Sequence, residues 1–138
     1  MNLRKANLRR IGISFHADRH LRAVHQELKA KGLTVQVLSQ RGERIRSEGP
    51  VVVLSRAEEI GGQEFDAVVC VGLEQGVTPP TIAGNQALEA ALEQRSLREM
   101  YLAFTRARMR LIIAIAKGSA PNAVLQYARA AGRLRDAR

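Results

Sequence analysis

The sequence is poor in the residues that build secreted or membrane-embedded folds. It has one cysteine, no tryptophan and an aromatic content of only 4%. A lone cysteine excludes an internal disulfide, and the position of Cys70 in an apolar strand pattern predicts a buried structural thiol. The few aromatics argue against a broad base-stacking platform. No apolar run approaches the roughly 20 residues of a membrane span and no signal-peptide pattern occurs, so we expect a cytoplasmic protein without a membrane partner.

Several chemistries are also missing from the sequence. No phosphate-cradling string Gly-x-x-x-x-Gly-Lys-[Ser/Thr] occurs, and Lys117-Gly-Ser119 has these residues in the wrong order. No acidic Mg²⁺-binding motif follows a strand, and no nucleophile–base pair for hydrolysis is evident. His16, His20 and His25 lack a cysteine or carboxylate cluster that would complete a tetrahedral set, so no metal site is predicted.

Positive charge is abundant by contrast. The formal net charge is +9 and the isoelectric point is about 11.0. Such a balance indicates a polyanionic partner, most often nucleic acid, and with few aromatics the expected mode is contact with phosphates. The basic residues cluster at both ends of the chain and at Arg106, Arg108 and Arg110.

The order of predicted elements indicates one α/β domain over residues 1–138. A strand at 10–15, an amphipathic helix ending at Gly32 with Asp18 as its N-cap, and a strand at 33–38 form a strand–helix–strand unit, which favours a parallel sheet. The further predicted elements are strands at 51–54, 65–73 and 110–116 and helices at 86–107, with a possible break at 94–96, and from Pro121. Residues 1–9 are a basic lead-in, and residues 132–138 are a basic tail. Periodicity alone leaves any Rossmann-like or flavodoxin-like fold open.

The stretch 97–109 carries the main functional signal. It is predicted to end a helix whose apolar face comprises Leu97, Met100, Tyr101 and Phe104. The apolar run 111–116 that follows is predicted to be a buried, central strand. Thr105, Arg106 and Arg108 therefore lie where a helix meets a strand, and they are well placed to reach a ligand at the edge of the sheet.

Residues 101–107, Tyr-Leu-Ala-Phe-Thr-Arg-Ala, resemble the last helicase motif of UvrD/Rep-type superfamily 1 DNA helicases, Tyr-Val-Ala-Leu-Thr-Arg-Ala. The resemblance implies a three-layer, parallel-sheet, RecA-like (P-loop NTPase-type) second motor domain over roughly 10–117, lacking its own phosphate loop. It implies that Arg106, beside Thr105, is an arginine finger for the γ-phosphate of ATP, which a separate ATP-binding motor domain holds with Mg²⁺. Arg108 is expected to point away from Arg106, about 200° round the helix.

A second string, Gly62-Gln-Glu-Phe-Asp66, is similar to the end of motif V of the same family. The resemblance implies that Glu64 contacts the sugar or triphosphate side of the nucleotide, with Gly62 beside it. The front of the motif departs from the family, because Arg56 and Glu58 stand where the family has threonine and histidine. This front contacts single-stranded DNA in the family, and Ser55 and Arg56 are the residues that could partly substitute here.

Three functions remain open at this level. The first is the C-terminal motor domain of an ATP-dependent DNA helicase, which is not expected to be active as this isolated chain. The second is a non-catalytic, degenerate helicase-like module that docks to DNA or to a protein partner, which the altered motif V favours. The third is an unrelated flavodoxin-type enzyme, against which the Thr-Arg-Ala match argues.

Overall fold

The chain folds around a five-stranded parallel sheet. The computed structural model describes residues 8–137, so most of the predicted basic lead-in and Arg138 lie outside the described residues. The strands are β1 (Arg10–Phe15), β2 (Val35–Val37), β3 (Val51–Arg56), β4 (Phe65–Val71) and β5 (Ala107–Ala114), and the helices are α1 (Leu21–Ala30), α2 (Gln86–Phe104) and α3 (Ala123–Ala130). The strand order is β2-β3-β1-β4-β5, with every pair parallel. The predicted α/β class with a parallel sheet is confirmed.

The strand order explains the three layers. The connection from β1 to β2 leads toward one edge of the sheet, and the connections from β3 to β4 and from β4 to β5 lead toward the opposite edge. Because parallel crossovers are right-handed, α1 and α2 lie on opposite faces. The short 3₁₀ helix Ala57–Glu59, which belongs to the β3–β4 connection, lies on the α2 side, as its contacts with α2 require.

The core lies between the sheet and the α2–α3 layer. Its members include buried side chains of β3 and β4, together with Met100, Ala103 and Leu125 from the two helices. Phe65 is central to it and lies against Gly12 of β1, where an added Cβ would come within 2.9 Å of the ring. Cys70 is completely buried and its pKa is raised by that burial to about 12, so the predicted structural thiol is confirmed.

The position of β5 differs from the prediction. The apolar run at 111–116 was expected to be a central strand, but β5 is the edge of the sheet and its residues are at most half-buried. Helix α2 is continuous through 94–96, and it ends at Phe104 rather than at 107. Met100 faces the core, whereas Leu97 and Tyr101 are 47% and 72% exposed, so half of the predicted apolar face points to solvent.

Two smaller predictions about helix starts also change. Asp18 is not the N-cap of α1: it lies in a 3₁₀ helix, makes no capping bond and pairs with Arg56, its Oδ1 lying 3.2 Å from Nε. The last helix begins at Ala123, and Asn122 caps it by accepting a hydrogen bond from the backbone N–H of Leu125. No helix among the described residues is long and apolar enough to span a bilayer.

Candidate functional site at the amino edge of the sheet

The junction between α2 and β5 is a tight turn that Thr105 builds. Thr105 is the C-cap of α2, and its hydroxyl lies 2.9 Å from the carbonyl oxygen of Tyr101 and 3.1 Å from that of Leu102. The Tyr101 carbonyl also accepts the backbone N–H of Thr105 at 3.1 Å, so the hydroxyl bonds hold the Thr105 side chain against the last turn of the helix. The chain can then enter β5 at Ala107. Thr105 therefore has a structural role, and it fixes where the next residue lies.

Arg106 occupies the turn between the cap and the strand. Its Nη2 is 3.5 Å from the Thr105 hydroxyl, a weak contact, while its Nε is fully buried and has no acceptor among the described residues. No carboxylate in the described part of the chain forms an ion pair with Arg106. A buried guanidinium donor is normally hydrogen-bonded. Arg106 is thus a half-buried cation with an unmet hydrogen-bonding capacity.

A main-chain hydrogen bond brings the two motif-like segments together. The backbone N–H of Phe65 donates to the carbonyl oxygen of Arg106 at 2.9 Å, and Phe65 is paired with Ala107 in the ladder between β4 and β5. Glu64 and Arg106 are therefore neighbours at the amino edge of the sheet, although they lie far apart in sequence. The four residues predicted for ATP contact, Gly62, Glu64, Thr105 and Arg106, all lie at this edge.

Gly62 and Glu64 contribute different features to the amino edge of the sheet. Gly62 has a φ of 84°, a left-handed conformation that glycine adopts without cost, and no atom crowds its absent side chain. Glu64 is exposed, and no hydrogen bond or ion pair engages it within residues 8–137. The turn before β4 therefore presents an accessible backbone and an unengaged carboxylate to a ligand.

A shallow cavity of about 490 Å³ opens beside these residues. Gly62 and Glu64 contribute to its wall, as does Arg108, which was predicted to lie near a ligand. Arg9 and Arg10, which were not predicted as site residues, contribute as well. Arg106 does not line this cavity, so its guanidinium and the cavity are adjacent parts of one edge. Arg10 is the first residue of the first predicted strand and Arg9 is the last residue of the basic lead-in, so their positions were the sequence signal for these two arginines.

The structure also corrects the expectation for Arg108. That residue belongs to β5 and not to a continuing helix, so the angular argument from a helical period does not apply. Arg108 lies close enough to Asp66 to lower the pKa of that carboxyl, although hydrogen bonding is the larger cause. Asp66 Oδ2 accepts the backbone N–H groups of both Arg9 and Arg10 at 2.9 Å. Asp66 thereby holds the start of β1 against β4.

The carboxyl edge, where nucleotides bind in many α/β sheets, is built differently. The strand order changes direction between β1 and β3, and the ion pair of Asp18 with Arg56 spans this point. Ser55 is fully buried and its hydroxyl donates to the carbonyl of Arg56 at 2.8 Å, so Ser55 is not accessible to DNA in this conformation. Of the two residues predicted for DNA contact, only Arg56 is exposed, and it already has a carboxylate partner.

His16 also lies at the carboxyl edge of the sheet, and its ring adds no charge there at pH 7. Its Nε2 is 3.3 Å from the Ser14 hydroxyl, and burial lowers its pKa to about 4, so the ring is neutral at pH 7. A cleft of about 280 Å³ beside it is lined by Asp18, Glu58 and Glu99 as well as Arg95. Among the described residues no group of three or more His, Cys, Asp or Glu could hold a metal ion.

The described residues form an α/β domain with an all-parallel five-stranded sheet and flanking helices, a fold consistent with a RecA-like domain. Fifteen solved chains match it. One is the C-terminal domain of a possible DNA helicase from Lactobacillus plantarum WCFS1, with a TM-score of 0.58 and 19% sequence identity over 88% of this chain. The match covers 63% of that chain, less than two thirds of its length. The TM-score shows a shared fold, and a sequence identity of 19% shows nothing beyond it. No protein-family model and no curated protein sequence matches.

Proposed function

We propose that this chain is the second motor domain of an ATP-dependent DNA helicase related to the UvrD/Rep type. In this proposal the chain completes an ATP site whose phosphate loop and Mg²⁺ belong to a separate motor domain. The observation that carries the proposal is the state of Arg106: a guanidinium with a buried, unpartnered Nε, held in a capped turn beside Glu64. The similarity in fold to a possible helicase domain supports the same assignment.

The geometry suits phosphoryl transfer at an interface. Hydrolysis of ATP develops negative charge on the γ-phosphoryl oxygens, and a positioned guanidinium stabilises that charge with two parallel hydrogen bonds. Arg106 has donors to spare, and the turn that carries it is fixed at one end by the helix cap and at the other by the β4–β5 ladder. In this proposal Glu64 contacts the sugar or triphosphate side of the nucleotide, and its carboxylate can accept hydrogen bonds from ribose hydroxyls. Binding of the partner would exclude water from this edge.

The test is reconstitution of the ATP site. The isolated chain should not hydrolyse ATP above background, because it has no loop to hold the phosphates. Addition of a motor domain that contains the Gly-Lys-[Ser/Thr] loop, with Mg²⁺ present, should produce hydrolysis well above that of the loop domain alone. Turnover by the isolated chain that persists through repeated chromatography would contradict the proposal, as would an assembled protein no faster than its loop domain.

A second function is favoured by one observation, the state of the carboxyl edge. There Ser55 is buried, Arg56 is paired with Asp18, and Glu58 contributes a carboxylate where the helicase family binds DNA phosphates. A degenerate module that docks to DNA or protein without catalysis would fit this edge. It predicts that assembly with a loop-bearing domain leaves ATP turnover unchanged, so the same reconstitution separates the two functions.

A further inference from the structure

We propose that the outer edge of β5, with the groove beside it, binds an extended acidic and apolar segment of a partner protein as an added strand. This inference does not depend on the proposed function. Strand β5 has eight residues and pairs only with β4, so within residues 8–137 its outer row of backbone groups has no partner strand. Such a row is a template for another strand.

The two edges of the sheet differ in how they are protected. At the other edge, β2 has only three residues, and the loop after it folds back onto its one buried polar residue. The Gln36 amide donates to the carbonyl of Arg44 at 2.9 Å and accepts the backbone N–H of Arg46 at 2.9 Å. Short strands and covering loops are usual devices against unwanted pairing. Strand β5 is long, and its second half is apolar.

A groove runs along β5 and is large enough to take side chains of an added strand. Its volume is about 1100 Å³, and it lies between β5, α3 and residues 134–137. Its apolar lining includes Met109, Leu111, Ile112, Ile113, Leu125 and Leu134. Met109, Leu111 and Ile113 share one face of β5 by alternation, so every second side chain of an added strand would extend over that part of the lining. Met109 is 68% exposed at one end of the groove.

Charge at the rim of the groove selects the partner. Arg110, Arg129 and Arg135 line it, and among its described lining residues the one carboxylate is that of Asp136, which is 2.7 Å from the Arg129 guanidinium. A second copy of the chain would bring two such arginine sets together, and each copy carries a net charge of +9. Nucleic acid would leave the apolar lining and the backbone row unused. An extended peptide with alternating acidic and apolar side chains would complement the net positive charge of the rim, cover the apolar lining and pair with the backbone of the strand edge.

The probe is a fluorescein-labelled peptide of alternating glutamate and valine, with two matched controls: a lysine–valine peptide, and a peptide of the same composition as the first with the alternation destroyed. Fluorescence anisotropy at 25 °C measures binding to the whole chain, and amide hydrogen exchange locates it. The glutamate–valine peptide should bind and should slow exchange in β5. The two controls should bind at least several-fold more weakly.

Two charge-reversal variants test the location. Arg129→Glu with Arg135→Glu should weaken the peptide roughly three- to tenfold, the range expected for two exposed charge pairs. Arg19→Glu with Arg22→Glu alters net charge equally at or beside α1, and should leave binding unchanged. Met109→Asp is a further variant that the fold should tolerate, since the side chain is exposed, and it should also weaken the acidic peptide.

Three results would overturn the inference. Equal weakening by both charge-reversal pairs would show a diffuse attraction to a basic protein. Equal affinity for the peptide without alternation would show that no strand is added. Concentration-dependent dimerisation that protects β5 amides without any peptide would show that a second copy occupies this edge.

Discussion

The unusual state of Arg106 leads to a prediction about stability. Replacing Arg106 by methionine should leave the isolated chain as stable as the parent or make it slightly more stable, whereas most substitutions of half-buried residues destabilise. The reason is that the Nε group is buried without an acceptor. If the residue is kept for a ligand outside the chain, the chain itself gains little from the guanidinium.

The expected size follows from the contacts of the side chain. A buried, unsatisfied donor costs about 1–3 kcal/mol. Because the residue is only half-buried, a value at or below the lower end of that range applies. The contact of Nη2 with Thr105 at 3.5 Å is too long to contribute much. Methionine retains most of the apolar stem. Removal of the guanidinium should therefore raise the free energy of unfolding by about 0.5–1 kcal/mol.

Urea denaturation followed by circular dichroism measures this difference. With a urea dependence of about 2 kcal/mol per molar, the midpoint should rise by roughly 0.2–0.5 M. Arg98→Met is the matched control: it removes the same group from an exposed position on α2, and its effect should stay within about 0.5 kcal/mol. A loss of more than about 1 kcal/mol at Arg106, with none at Arg98, would refute the reasoning, because it would show that the guanidinium stabilises the fold.

Three other predictions follow from the same structure. Asn122→Ala should destabilise the protein by about 2–4 kcal/mol in urea denaturation, because it removes a helix cap and leaves the buried Thr78 carbonyl without its amide donor. Asn85→Ala removes only an exposed cap and should cost about 1 kcal/mol. Equal losses in the two variants would contradict this. Backbone hydrogen bonds lower the pKa of Asp66, so its contribution to stability is present above the unfolded pKa of about 3.9 and is lost as pH falls through the lower folded value. Asp66→Asn should therefore destabilise at pH 7, and its difference from the parent should narrow below about pH 4 in acid titrations of stability; an unchanged difference would contradict this. DNA binding measured by anisotropy should be non-specific, with a Kd of about 10⁻⁴ to 10⁻⁶ M, and should weaken steeply with salt; sequence-specific binding that persists at high salt would contradict this.

Local sequence predicted the parallel α/β class and most elements, because those depend on short-range patterns. Strand β1 has the predicted bounds, since its apolar residues end at a polar turn after Phe15. The end of α2 was misplaced because Thr105 caps it with a side-chain bond that apolar periodicity does not encode. The edge position of β5 was missed for another reason. An apolar run indicates that a strand packs against a layer of helices, but it does not indicate how many strands lie beside it.

The site was predicted in part for similar reasons. Arg106 and Glu64 were found through the resemblance, and the hydrogen bond between Phe65 and Arg106 joins their segments. The prediction that Asp18 caps a helix was wrong because its carboxylate pairs with Arg56 instead. Arg56 is distant in sequence, so a local helix-start pattern could not reveal this pair. The burial of Ser55 follows from the alternation of β3, in which its side chain shares the inward face with Val51 and Val53.

The steady-state ATPase rate of the assembled two-domain enzyme tests the role of Arg106 most directly. Arg106→Ala should lower kcat by on the order of 10³- to 10⁵-fold, as removal of an arginine finger does. Arg106→Lys should restore little, because lysine keeps the charge and loses the bidentate fork. Arg98→Ala, on the exposed surface of α2, should leave kcat unchanged. An Arg106→Ala enzyme that retains the parent kcat, or one rescued by lysine, would contradict the assignment of a positioned guanidinium.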